Sequence, residues 1–162
     1  MRVYEAKLTY EATLFEVGAK SLSSAEAVYE VISTPEHIAQ WWTDEADFEP
    51  TPGGSGVLVW GERATNRPFE VRITVVEAVP GKRFSFRWLY PDGETPTPSN
   101  SLLVTFELTP DGGGTLLKVT EEGMREQGWQ AAVLEEHYRS HDAGWTRHLA
   151  DLAAYVATLA TS

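Results

Sequence analysis

The chain has 162 residues, with 24 acidic against 13 basic side chains, a formal net charge of -11 and no cysteine. A chain of this length hides roughly 70% of the surface it exposes when unfolded, which suits one domain, expected to span 1–162, with a core large enough to be hollowed into a pocket. The negative charge repels phosphate backbones and anionic headgroups, so no nucleic acid and no membrane surface is expected as a partner, and the missing thiols exclude a disulfide framework, a thiolate nucleophile and cysteine-ligated metal.

Met1 to Lys7 carries no apolar signal-peptide run, and nothing approaches the roughly 20 apolar residues of a membrane span, so a cytoplasmic location is expected. From Tyr4 to Val17 the residues alternate, with Leu8, Tyr10, Ala12 and Leu14 on one face and Lys7, Thr9, Glu11 and Thr13 on the other, which predicts a half-buried strand. Ser23-Ser24-Ala25-Glu26 reads as a capping box ahead of a helical run from Ala25 to Ile32. A second short helix follows, with Thr34 as N-cap, Pro35 at the first helical position and Ile38, Trp41 and Trp42 on its apolar side.

Strand then follows strand, separated by Thr51-Pro52-Gly53-Gly54, Val79-Pro80-Gly81-Lys82, the segment Pro91 to Asn100 and Pro110 to Gly114. Phe84, Phe86, Trp88 and Tyr90 are expected on one covered face, as are Leu102, Val104, Phe106 and Leu108. The segment from Pro91 to Asn100, with three prolines, reads as a mobile rim. Gly53-Gly54-Ser55-Gly56 resembles a nucleophile elbow only superficially: it lies between two predicted strands, where an elbow needs a helix on its far side, and reads as a turn. No dinucleotide fingerprint, P-loop or H-E-x-x-H motif occurs.

From Gln130 to Ala160 the period changes: Leu134, Tyr138, His141, Trp145, Leu149, Leu152, Val156 and Leu159 fall on one side of a helix, which Gly144 weakens enough to permit a break near His141. His137, His141 and His148 project within about 40° of one another at the edge of this stripe. Three roles are open to them: solvent-edge or core imidazoles, polar contacts to a cavity ligand, or metal ligands. His141 and His148 lie roughly 10 Å apart along the axis, so one ion cannot take all three, and neither a metal nor another cofactor is expected. Glu121 shares a strand face with Leu117 and Val119. Either the strand frays before Gly123 and lets the carboxylate reach water, or Glu121 is a pocket carboxylate. Of the six tryptophans, Trp60, Trp88 and Trp145 come from two strands and the long helix and can converge.

This order, a strand, two short helices, a six-strand meander and a long C-terminal helix, resembles the START-like (SRPBCC, helix-grip) superfamily, an α+β fold in which a curved antiparallel sheet wraps a helix. The segments Val31 to Trp42, Pro52-Gly53-Gly54, Val75 to Pro80, Thr115 to Val119 and Gly144 to Leu149 are similar to the single-domain family named after the activator of the ninety-kilodalton heat-shock-protein ATPase. Glu121 departs from that pattern, in which a polar, frequently aromatic or imidazole, residue stands near this place. The resemblance implies this fold and a cavity; taken with the converging aromatics, the expectation is a protein that binds a small apolar or aromatic molecule between sheet and helix, with Trp60, Phe86, Trp88 and Trp145 as wall and Glu121 or His141 as polar contacts. A cyclase, dehydratase or hydrolase using Glu121 and His141 as an acid–base pair is the second expectation. A chaperone-associated module is the third; the separate N-terminal domain with which the eukaryotic activator makes much of its chaperone contact has no counterpart in these 162 residues. No oligomeric state follows from the sequence.

Overall fold

The computed structural model describes residues 7–14, 24–61, 69–111 and 114–160. In chain order these form β1 (Lys7–Leu14), α1 (Ser24–Ser33), α2 (Pro35–Trp41), β2 (Glu45–Phe48), β3 (Ser55–Trp60), β4 (Phe69–Val79), β5 (Arg83–Trp88), β6 (Leu102–Asp111), β7 (Gly114–Glu122), a 3-10 turn (Arg125–Gln127) and α3 (Ala131–Ala160). The strands make one antiparallel sheet in the order β1-β7-β6-β5-β4-β3-β2. Since β1 and β2 lie at opposite edges, α1 and α2 must cross the sheet between them: α1 packs on β5, β6 and β7, and α2 on β2 and α3. The core fills the space between the curved sheet and the three helices, from Leu8 and Leu14 through Ile73, Phe84, Phe106 and Leu117 to Leu152 and Val156. Among the described residues no helix is long and apolar enough to cross a membrane.

The alternating runs form the strands expected of them, because a period of two places every second side chain on the covered face. Leu102, Val104, Phe106 and Leu108 are all buried. The first strand is described only as Lys7–Leu14, so the rest of its expected span, like Ser23 of the capping box, lies outside the described residues. Gly53, at φ 85°, turns the chain between β2 and β3, and a side chain at Gly56 would collide with the Asp47 carbonyl, so Gly53-Gly54-Ser55-Gly56 is a strand-to-strand turn.

Two local expectations need correction. Thr34 occupies the N-cap of α2 and Pro35 follows it, but the hydroxyl does not cap: it donates to Glu30 Oε2 at 3.2 Å. Tyr90 does not continue the Phe84, Phe86 and Trp88 surface, because β5 ends at Trp88 and Leu89 takes φ 65°. That left-handed turn costs a non-glycine residue about 1–2 kcal/mol and breaks the alternation, so the Tyr90 hydroxyl pairs with Thr74 Oγ1 at 2.6 Å, outside the main core cluster. The 91–100 segment, expected to be a mobile rim, carries hydrogen bonds of its own and one to the 3-10 turn. Thr97 N donates to Asn100 Oδ1 at 2.6 Å, and Gln127 Nε2 reaches the carbonyls of Gly123, Ser101 and Pro98 at 2.8, 3.0 and 3.3 Å.

Helix α3 runs unbroken for 30 residues, through Gly144. Its buried stripe of Tyr138, Trp145, Leu149, Leu152 and Val156 outweighs the roughly 1 kcal/mol that glycine costs a helix interior.

Candidate functional site

Trp42, the C-cap of α2, is the hub of the aromatic core: its ring lies 5.1 Å from Trp88, 5.3 Å from Trp145, 5.7 Å from Trp60 and 5.9 Å from Phe86. Trp60 Nε1 donates to the Trp42 carbonyl at 3.1 Å, which fixes β3 to the end of α2. The expected convergence of Trp60, Trp88 and Trp145 therefore occurs around a ring from the second helix, with 6.2 Å between Trp60 and Trp88 and 6.3 Å between Trp88 and Trp145.

Glu121 is held rigidly beside this cluster. It lies opposite Leu8 on β1 and Val104 on β6, and pairing on both sides continues to Glu122, so the strand does not fray and the side chain is 1% exposed. Trp88 Nε1 donates to Oε2 at 2.8 Å and Trp145 Nε1 to Oε1 at 3.0 Å, while His141 Nδ1 lies 2.7 Å from Oε1. A carboxylate with three partners offsets much of the cost of leaving water.

Above the cluster, between sheet and α3, lies a hollow of 560 Å³. Trp60, Val71, Trp88 and Leu102 form its sheet side, and His137, Ser140, His141, Gly144, Trp145 and His148 its helix side. Trp42 also borders it, with Trp129, whose ring stacks on His137 at 4.0 Å, and Phe69 and Leu89. A Cβ at Gly144 would meet nothing within 4 Å, so the missing side chain leaves space in this wall. Of the residues singled out from sequence, Trp60, Trp88, His141 and Trp145 line the hollow. Phe86 is 0% exposed in the core, and Glu121 is not among the lining side chains. Trp42, Trp129, Phe69 and Leu89 were missed as lining residues. The tryptophan count was the available signal for the first two, whereas Leu89 owes its place to a backbone conformation with no sequence signature.

All three α3 histidines border the hollow, each with a different environment. His148 Nδ1 is buried without a hydrogen-bond partner, 3.8 Å from Asp151 Oδ2. Burial pushes its imidazole below the ordinary value of 6.5, Asp151 opposes the shift and Arg147 adds to it. The folded protein thus resists protonation more than the unfolded chain does. Its contribution to stability is complete above the unfolded value and is lost as pH falls through it toward the depressed folded value. Between about pH 7.5 and about pH 5 the wild type should lose more melting temperature than His148→Gln, as read by circular dichroism; parallel losses would contradict this. Among the described residues no group of three or more His, Cys, Asp or Glu is placed to hold a metal ion.

A long helix held by a seven-stranded antiparallel sheet, with two short helices crossing between the edge strands, defines a helix-grip domain of the START-like class. Within that class the chain belongs to the family described as Activator of Hsp90 ATPase homolog 1-like protein, whose model matches residues 23–157. Among solved structures it is similar to a protein from Nitrosomonas europaea, with TM-score 0.72, 15% identity and coverage of 94% of this chain and 95% of that one. It is also similar to the Aha1 dimer protein from Colwellia psychrerythraea, with TM-score 0.66, 14% identity and coverage of 94% and 96%. DynU16, a protein of the dynemicin biosynthetic locus, matches with TM-score 0.66 and 21% identity over 96% of this chain, which spans about half, 48%, of that protein's length. At these identities the likeness shows the fold. No curated protein sequence matches the chain.

Proposed function

We propose that the hollow between α3 and the sheet binds a small, largely apolar or aromatic molecule in the cytoplasm. The observation that carries this reading is the combination of size and wall: 560 Å³ lined by five tryptophans and a few polar groups. Ligand sites are typically concavities of about 300–1,000 Å³ with apolar, aromatic linings and few polar contacts. The membership of the family and the helix-grip fold support it.

Naphthalene should quench or shift tryptophan fluorescence and raise the melting temperature. At a hundredfold excess over Kd a ligand of the folded state alone stabilises it by about 2.7 kcal/mol, roughly 5 °C or more for a domain of this size. Gly144→Leu should abolish the response without loss of stability, because leucine fills the hollow and removes a helical glycine. A response unchanged in Gly144→Leu would move binding elsewhere. Strong stimulation of the heat-shock chaperone's ATPase, with no response to apolar aromatics, would favour the interaction-module reading instead.

A further inference from the structure

We propose that the hollow selects neutral aromatic molecules that carry a hydroxyl, whose O–H is donated to Nε2 of His141 with Glu121 holding the imidazole from behind. This rests on the binding-site reading and narrows it to a ligand class.

The inference follows from counting donors and acceptors. Indole N–H groups can only donate, so Trp88 on Oε2 and Trp145 on Oε1 require both oxygens of Glu121 to accept. His141 completes the set by donating from Nδ1 to Oε1, and in the neutral imidazole this tautomer leaves the lone pair on Nε2. That nitrogen, at the far tip of the ring, has no hydrogen-bond partner among the described residues, and the ring borders the hollow. Apart from Ser140, His137 and His148 farther along the helix wall, the surrounding side-chain donors are committed elsewhere. The N–H groups of Trp88 and Trp145 serve Glu121, that of Trp60 serves the Trp42 carbonyl, Ser101 donates to the Thr97 carbonyl, and the Gln127 amide is spent on three carbonyls.

Charge points the same way. Among the described residues no lysine or arginine lines the hollow, and a buried carboxylate stands directly behind His141, so from these residues an anionic head group meets a nearby negative charge and no basic side chain. Burial also disfavours the charged form of His148 on the same wall. A neutral ring enters against the tryptophans, and its hydroxyl finds in His141 Nε2 an acceptor strengthened by the carboxylate behind it. An unpartnered acceptor in an apolar wall also discriminates more sharply than a methylene-sized change of shape, because a ligand without the donor leaves it desolvated.

The test compares naphthalene, 2-naphthol and 2-methoxynaphthalene by isothermal titration calorimetry on the full chain. Wild type should bind 2-naphthol at least tenfold more tightly than either of the others, and His141→Phe should erase that preference while still binding naphthalene. Should His141→Phe fail to fold, the 15N resonance of His141 Nε2 in wild type serves instead: 2-naphthol should move it and 2-methoxynaphthalene should not. Equal affinities, tighter binding of the ether, or a preference that survives in His141→Phe would overturn the inference while leaving the binding site standing. Failure of all three compounds to bind would overturn the binding-site reading and this one with it.

Discussion

Glu121→Leu should destabilise the protein by about 3–5 kcal/mol in urea unfolding, because it removes the acceptor from a buried, charge-assisted network and leaves its donors stranded. The stranded groups are specific: the indole N–H of Trp88, 7% exposed, the indole N–H of Trp145, 3% exposed, and Nδ1 of His141. The two indoles belong to buried rings, and His141 is only partly exposed. Glu121→Gln should fall between, at about 1–2 kcal/mol, since one oxygen still accepts while the amide N–H₂ now faces a donor. A loss below about 1 kcal/mol in Glu121→Leu would mean that the network adds little beyond what apolar packing can replace.

Trp42→Ala is expected to cost about 3–5 kcal/mol, the range for deleting a large ring from a packed core, because Trp42 contacts Trp60, Phe86, Trp88 and Trp145 at once. Trp129→Ala is the control. That ring is only partly buried and stacks on His137, so its removal should cost under about 1 kcal/mol. Equal losses for the two variants would show that Trp42 does not organise the cluster.

How legible these features are in the sequence depends on how local their causes are. The faces of β6 and of α3 can be read directly, since the alternation of Leu102, Val104, Phe106 and Leu108 and the helical spacing of Trp145, Leu149, Leu152 and Val156 repeat within a few residues. The family resemblance extends this to the order of elements from α1 to α3, the stretch that the family model matches over residues 23–157. Glu121 is different. Its strand face is legible, but whether the carboxylate reaches water depends on Trp88, 33 positions before it, on His141 and Trp145, 20 and 24 positions after it, and on pairing to both β1 and β6. The place of Tyr90 is not legible, because one leucine with positive φ reverses the alternation and nothing in leucine's chemistry announces that conformation. Trp42 is legible as apolar but not as central, because its role arises where α2 ends against β3, β5 and α3.

The most direct measurement of the central claim is a titration of 15N-labelled protein with 2-naphthol, followed through its six indole resonances. Trp42, Trp60, Trp88, Trp129 and Trp145 border the hollow. Trp41 does not: its Nε1 donates to the Val31 carbonyl at 3.1 Å, and the ring is stacked behind Trp42. Binding in the hollow predicts saturable shifts of the Trp60, Trp88 and Trp145 signals with Trp41 nearly still. Shifts confined to Trp129, or no saturable shift at any indole, would contradict a binding site between the sheet and the long helix.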